Sequence, residues 1–379
     1  MNVWRPQSFR TAARLAGRDN QLVERAVSTA QRVSRTTPGA APILSLKHLG
    51  HLTDTAYSRL RSVTNRSEPE PYHVFKIHKR PLPGENRRFR TIVVPAPWLM
   101  SLQRWMNANI LAHVAPHPAS VAFRSGCNIR DAAALHCGSR WILKLDLRNF
   151  FESVTERQVQ RLFSELGYQR LVAFELARLC TRLGDRRTRL HHSRFASRPH
   201  WSKITTYSQA VMGHLPQGAP TSPHLANLVA RGLDTALTDI ADAHGLTYSR
   251  YADDLTFSTG RELERSAIRP IIGDIYGAIA QNGFSPNAAK TNVLSPGSRK
   301  LVLGLLVDRD EPRLTRAFKS NLRCHLHHLT VHGPVEHAAS CNGTVFGIRR
   351  HVLGLIQHAR QIEPSYGDNA LERFNRIRW

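Results

Sequence analysis

The sequence predicts an α+β fold: an antiparallel sheet built from hairpins carries a cluster of carboxylates, and helices dominate the two ends of the chain. Three observations predict it. The runs Leu246-Thr247-Tyr248-Ser249-Arg250 and Leu255-Thr256-Phe257-Ser258 flank Tyr251-Ala252-Asp253-Asp254, so the tetrapeptide reads as a hairpin tip. The apolar run Trp141-Ile142-Leu143-Lys144-Leu145 reads as a buried strand that ends on Asp146. Helical periodicity returns after Pro312, with Val345, Ile348, Val352 and Leu355 on one face.

Residues 1–70 are basic and loosely helical, as in Leu44-Leu46-Leu49, Leu52 and Tyr57-Leu60. Ser67-Glu68-Pro69-Glu70-Pro71 cannot continue a helix and marks a boundary. Tyr72 to Ile77 and Phe89 to Val94 read as strands joined through the turn Pro81-Leu82-Pro83-Gly84. Trp98 to Leu111 is an amphipathic helix with Leu99, Leu102, Met106 and Ile110 on one face. Residues 181–205 break the pattern with seven Lys/Arg against one acid, interleaved with Phe195 and Trp201. That mixture suits backbone contact with base stacking, and equally a solvated loop. The division expected is a basic helical extension over 1–70, a central region over 71–310 carrying the basic insertion, and a helical region over 311–379.

The charge balance narrows the function classes. The chain has 53 Lys+Arg against 28 Asp+Glu, a formal net charge of +25 over 379 residues. A polyanionic partner is the simplest account, because each neutralised phosphate releases counterions. Arginine outnumbers lysine, which favours bidentate phosphate contacts and stacking. The five cysteines form no C-x-x-C pair, and no apolar run is long enough to span a bilayer, so a cytosolic protein without membrane contact is expected. Adjacent carboxylates at a tight turn repel one another unless a cation neutralises them. Mg²⁺ fits, since it takes oxygen ligands and is held by one or two carboxylates plus substrate phosphates. Asp146, Asp253 and Asp254 together therefore point to a two-metal phosphoryl-transfer centre on strand ends.

Three segments in order carry a resemblance: Leu145-Asp146-Leu147-Arg148-Asn149-Phe150-Phe151, Leu215-Pro216-Gln217-Gly218-Ala219-Pro220-Thr221-Ser222-Pro223, and Ser249-Arg250-Tyr251-Ala252-Asp253-Asp254-Leu255. The trio resembles the palm motifs of reverse transcriptases, most closely those of bacterial retrons, over about residues 70 to 310. The resemblance implies a right-hand polymerase with fingers, a palm whose antiparallel sheet carries the Asp cluster, and a helical thumb. Asp146, Asp253 and Asp254 look like the catalytic, metal-binding aspartates, holding two Mg²⁺ ions that Mn²⁺ could replace. Phe151 resembles the aromatic gate that excludes a 2′-hydroxyl. Gln217 and Gly218 resemble the segment that packs on the incoming nucleotide, where a missing side chain allows close backbone approach. Lys79 and Arg90 resemble the fingers residues that grip the triphosphate, and Lys290 the lysine of the motif after the Asp pair.

Two retron marks are altered. Asn-Ala-x-x-His becomes Ala132-Ala133-Ala134-Leu135-His136, and Val-Thr-Gly becomes Val302-Leu303-Gly304. The resemblance associates these positions, His136 included, with primer and RNA handling. It implies a cognate non-coding RNA, an RNA–DNA hybrid and deoxynucleoside triphosphates as partners, an effector protein beside them, and anti-phage defence as the role. A non-retron defence-associated reverse transcriptase is the near alternative. An RNA-binding scaffold that sequesters an effector, with synthesis secondary, is the alternative of another class. His325, His328 and His332 share a helical face beside Cys324 but show no closing ligand set for zinc, so contact with nucleic acid or solvent is expected there. Arg373, Arg376 and Arg378 are read as a backbone-contacting face.

Overall fold

The structure, a computed structural model, describes residues 5–78, 89–184, 204, 207 and 211–379. The elements run α1 (Pro6–Leu15), α2 (Asn20–Thr36), α3 (Leu46–Leu52), α4 (Tyr57–Thr64), β1 (Tyr72–His78), β2 (Phe89–Pro95), α5 (Pro97–Asn109), α6 (Ile129–Ala134), β3 (Trp141–Asp146), α7 (Phe150–Ser153), α8 (Glu156–Glu165) and α9 (Arg170–Cys180). Then come α10 (Ser222–Val229), α11 (Arg231–Ala243), β4 (Thr247–Tyr251), β5 (Asp254–Thr259), α12 (Arg265–Gln281), β6 (Asn292–Leu294), β7 (Leu301–Val302), β8 (Leu305–Leu306), α13 (Arg316–Val331), α14 (Gly333–Ser340), α15 (Val345–Ile362) and α16 (Pro364–Asn375). The α+β class, the antiparallel pairing of β1 with β2 and of β4 with β5, and the helical C-terminal region match the sequence reading. The helix expected over 98–111 stops at Asn109 and tightens into a 3₁₀ turn, Leu111–His113. Of the basic insertion, residues 185–203 and 205 lie outside the described residues, as do Lys79 and the turn Pro81-Leu82-Pro83-Gly84.

Local chemistry sets the helix starts. Asp19 accepts from Leu22 N at 2.8 Å at the start of α2. Thr155 and Gln158 form a reciprocal capping box on α8, satisfying two backbone donors that the first turn leaves open. Thr315 and Thr344 cap α13 and α15 with one bond each, accepting from the backbone N–H three residues on.

The chain folds as two compact units, and neither is continuous. One comprises Met1–Arg124, Leu147–Ala236 and Ala278–Pro286; the other comprises Ser125–Asp146, Leu237–Gly277 and Asn287–Trp379. The boundaries drawn at 70 and 310 from the sequence therefore do not coincide with those of the compact units. Strand pairing between distant segments outweighs chain order in deciding what packs together.

The first unit contains the β1–β2 hairpin and a buried ionic cluster. The Glu156 carboxylate lies between the guanidinium groups of Arg66 and Arg178, with Arg178 Nε at 3.0 Å from Oε1 and Arg66 Nη2 bonded to Oε2. Both arginines also donate to backbone carbonyls, Arg66 to Thr181 O at 2.5 Å and Arg178 to Thr64 O at 2.6 Å. Burial alone would raise the Glu156 carboxyl, but the two guanidiniums outweigh it and hold it below the usual carboxylate range.

The second unit is built on a four-stranded antiparallel sheet in the order β4-β5-β3-β6. Trp141↔Thr259 through Asp146↔Asp254 set the register of β3 on β5, and Thr247↔Ser258 through Tyr251↔Asp254 set that of β4 on β5. Tyr248 and Phe257, paired across β4 and β5, stack with ring centroids 4.7 Å apart. The apolar faces of α13, α15 and α16 bury Leu322, Leu326, Val352, Ile356 and Phe374 in one core that also takes in Ile142 and Val302. Among the described residues, no helix is long and apolar enough to cross a membrane.

Candidate active site

Register assembles the carboxylates. In the antiparallel pairing of β3 with β5, Asp146 stands opposite Asp254 across the ladder. Tyr251 pairs with Asp254, leaving Ala252-Asp253 as a two-residue turn. All three aspartates thus sit at one end of one sheet, contributed by segments more than a hundred positions apart. Ala252 carries φ 57°, a left-handed conformation costly for a residue with a Cβ. The neighbouring Arg250 offsets this: its fully buried guanidinium donates Nη1 to Ala252 O at 3.1 Å. Arg250 falls on the same strand face as Tyr248, a charge at an otherwise apolar position. That misplaced charge is the signal that sequence reading could have used and did not.

Asp146 is buried and held on both oxygens. Asn287 Nδ2 donates to Oδ1 at 2.9 Å and Lys290 Nζ to Oδ2 at 2.5 Å, while Asn287 N donates to Asp146 O at 2.8 Å. Lys290, read from the sequence as the lysine of the next motif, comes into contact with the first aspartate. Asn287, three positions before it, is a partner that the sequence reading misses. Asp254 is exposed as a residue, yet its carboxyl is raised above the usual range, first by loss of hydration and then by the charge of Asp253. Lys144, on the face of β3 that carries Asp146, opposes that shift. A carboxyl pushed up by a neighbouring carboxylate marks crowded negative charge of the kind a divalent cation neutralises.

A cleft of about 350 Å³ opens beside the cluster, lined by Ile129, Lys144, Tyr251, Asp254, Thr256, Leu303 and Gly304. Leu303 and Gly304 form the two-residue turn between β7 and β8, with φ 50° and 83°. Gly304 suits a position where both central residues turn left-handed, and Leu303 there is strained. Val302, grouped with them from the sequence, is instead buried in the helical core and cannot touch a ligand directly. His136 also departs from its expected place. It is fully buried and bridges Ser258 Oγ (Nδ1, 2.7 Å) and Ser249 Oγ (Nε2, 2.7 Å). Burial pushes its pKa down to about 4, so it is a neutral clasp between β4 and β5 and not an RNA contact. The polar face of those strands needs a cover that satisfies two hydroxyls, and the imidazole supplies it.

The remaining expected residues belong to the other unit. Phe150 is core and packs on Phe284 at 5.7 Å, whereas Phe151 is half-buried, 6.2 Å from Phe123. Arg90 is exposed on β2, paired with Ile77. Gln217 accepts from Val93 N at 2.7 Å through its backbone carbonyl. A Cβ on Gly218 would lie 2.9 Å from Val93 O and 3.1 Å from Ile92 Cγ2, so the missing side chain makes room for strand β2. Gly218 itself remains exposed.

Comparison with known proteins follows this geometry. The family described as reverse transcriptase (RNA-dependent DNA polymerase) matches residues 77–307. The retron Ec86 reverse transcriptase of Escherichia coli is 29% identical over 305 residues, covering 80% of this chain and 84% of that protein. The retron Mx65 reverse transcriptase of Myxococcus xanthus is 31% identical over 315 residues, covering 81% of this chain and 65% of that protein. Among solved structures, a telomerase from Candida albicans aligns with a TM-score of 0.42 at 13% identity, over 78% of this chain and 57% of that one.

Proposed function

This chain belongs to the reverse transcriptases, the RNA-dependent DNA polymerases, as one of retron type, and on that premise we propose that it synthesises DNA on a cognate, structured non-coding RNA by metal-assisted nucleotidyl transfer. The observation that carries the proposal is the β3–β5 register, with Asp146 opposite Asp254 and Asp253 in the adjoining turn. Three carboxylates faced by one bonded lysine leave negative charge that suits two divalent cations, and Mg²⁺ fits the all-oxygen donor set. When bound by Asp146, Asp253 and Asp254, such ions would lower the pKa of a primer hydroxyl and neutralise charge on the leaving pyrophosphate. The protein's own part is positioning. Lys290 and Asn287 fix the rotamer of Asp146, Arg250 braces the turn, and the Leu303-Gly304 turn offers backbone to a primer end in the cleft. Exposed Arg90 and the net charge of +25 supply attraction for triphosphate and nucleic-acid backbone.

Phe151 is the residue through which deoxynucleotides would be selected. The side chain stands half out of the core, so truncation removes bulk without opening a large cavity. Phe151→Ala is expected to cut the preference for dNTP over rNTP by roughly 100-fold, the scale on which a snug apolar surface rejects an added hydroxyl. Single-nucleotide incorporation kinetics would measure this, and an unchanged preference would remove Phe151 from the role.

The retron resemblance also implies anti-phage defence with an effector protein as partner, and the proposal takes this in together with a cytoplasmic setting. Sequencing the nucleic acid that copurifies with the chain tests the template. One discrete RNA joined to a short DNA is the expected result. Random cellular RNA would overturn the claim of a cognate template while leaving the polymerase reading intact.

A further inference from the structure

The C-terminal helices gather a set of soft and borderline metal ligands that DNA synthesis does not use. His325 on α13 points Nδ1 at Nε2 of His337 on α14, 2.9 Å away. Cys341, the residue that ends α14, brings Sγ to 3.9 Å from the same His337 nitrogen. The three ligand atoms all lie within 4.8 Å of one another. Two further imidazoles border the group. His351 on α15 has its ring centroid 5.3 Å from that of His325, and His328 stacks on His337 at 5.6 Å.

From this geometry we propose that His325, His337 and Cys341 form a zinc site that ties α13 to the end of α14, with His351 or water as the fourth ligand. Two nitrogens on tetrahedral zinc stand roughly 3.3 Å apart, and a nitrogen and a sulfur roughly 3.6 Å, from bond lengths near 2.05 and 2.3 Å. The observed separations of 2.9 and 3.9 Å straddle those values and need only side-chain adjustments to meet them. His337 and Cys341 are four apart, so one helical turn presents both on the same side. His337 is buried and Cys341 exposed, which gives a fixed inner ligand and an open approach for the ion. A shared proton accounts for the two facing imidazoles but gives no reason for the thiol to join them. Zinc accounts for all three, since it favours nitrogen and thiolate donors and its binding releases the thiol proton. The same donors suit Mg²⁺ poorly, so this site and the carboxylate cluster select different ions. The sequence pointed to His325, His328 and His332 along one helix. The fold closes the set instead with residues from α14, which helical periodicity within α13 could not reveal.

Cobalt provides the test, because a Cys–Co²⁺ bond gives a thiolate-to-metal charge-transfer band that carboxylate-bound Co²⁺ lacks. The full chain, stripped with chelator, is titrated with Co²⁺ in excess Mg²⁺. One equivalent is expected to give the band, and one equivalent of Zn²⁺ to abolish it. Cys341→Ser should lose the band and weaken Zn²⁺ binding at least 10-fold, with helix content unchanged because the side chain is exposed. Cys324→Ser, also exposed, should retain the band. Absence of the band in the wild type would overturn the proposal, as would its persistence in Cys341→Ser. DNA synthesis does not enter either readout, so failure here leaves the polymerase reading untouched.

Discussion

Replacing Asp253 by Asn should abolish DNA synthesis while leaving the protein folded and bound to RNA. We expect the rate of primer extension to fall by at least ~10³-fold, which is about 4 kcal/mol of activation free energy. The loss follows from the proposed metal site: Asp253 occupies the two-residue turn beside the facing pair Asp146 and Asp254, and its carboxylate is one of the three proposed to hold the ions. Folding should not suffer. Asp253 raises the carboxyl of Asp254 by repulsion, so neutralising it relieves the free protein while depriving the ion of a ligand. Asn287→Ala tests the same site one step out. It removes a single bond to Asp146 Oδ1 and should raise the Mg²⁺ concentration needed for half-maximal synthesis by roughly 10-fold or more, with less effect at saturating Mg²⁺. Primer extension across a Mg²⁺ series, beside filter binding of RNA, separates these outcomes. Synthesis by Asp253→Asn within tenfold of wild type would end the metal-site reading.

Replacing Glu156 by Gln should cost about 3–5 kcal/mol of stability, because it leaves Arg66 and Arg178 buried without a counter-charge. Against a total stability of about 5–15 kcal/mol, that is enough to unfold much of the population at 37 °C. Urea titration at neutral pH measures the loss, and a change below about 1 kcal/mol would show that the cluster is not acting as a buried ionic pair. The pH dependence gives a second signature. The folded carboxyl is depressed below its unfolded value of about 4.3, so its stabilisation is complete above that pH. As pH falls from there toward the folded pKa, that stabilisation is lost. Glu156→Gln should therefore flatten the acid limb of the stability curve while lowering the neutral plateau.

Much of the carboxylate site could be read from residues alone, for a specific reason. Strand alternation and a tight turn are local properties, so β3, β4 and β5 emerge from Trp141 to Asp146 and from Thr247 to Thr259 with boundaries right to a residue or two. What local pattern cannot carry is partnership. Nothing in the run around Asp146 says that Asn287 and Lys290 return to grip it, or that β6 pairs on its other side. The motif around His136 suggests recognition, whereas its surroundings are two serines on neighbouring strands. The absent side chain at Gly218 makes room for Val93, a neighbour that the local sequence does not name. Each case concerns what faces a residue, which only the folded chain decides.

The order in which the ribosome delivers these strands has its own consequence. The central strand β3 is complete at Asp146, but its partner β5 begins at Asp254 and the clamp on Asp146 arrives only with Lys290. At about 5–20 residues per second, that interval of 144 positions lasts roughly 7–30 s. Until Asp254 emerges, the run from Trp141 to Leu145 is an apolar strand with both hydrogen-bonding edges unmet, and one edge stays unmet until β6, a hazard for aggregation during synthesis. A nascent chain of this protein should thus lean on chaperones in a window set by its own gene length, and slow codons within that stretch would lower the soluble yield.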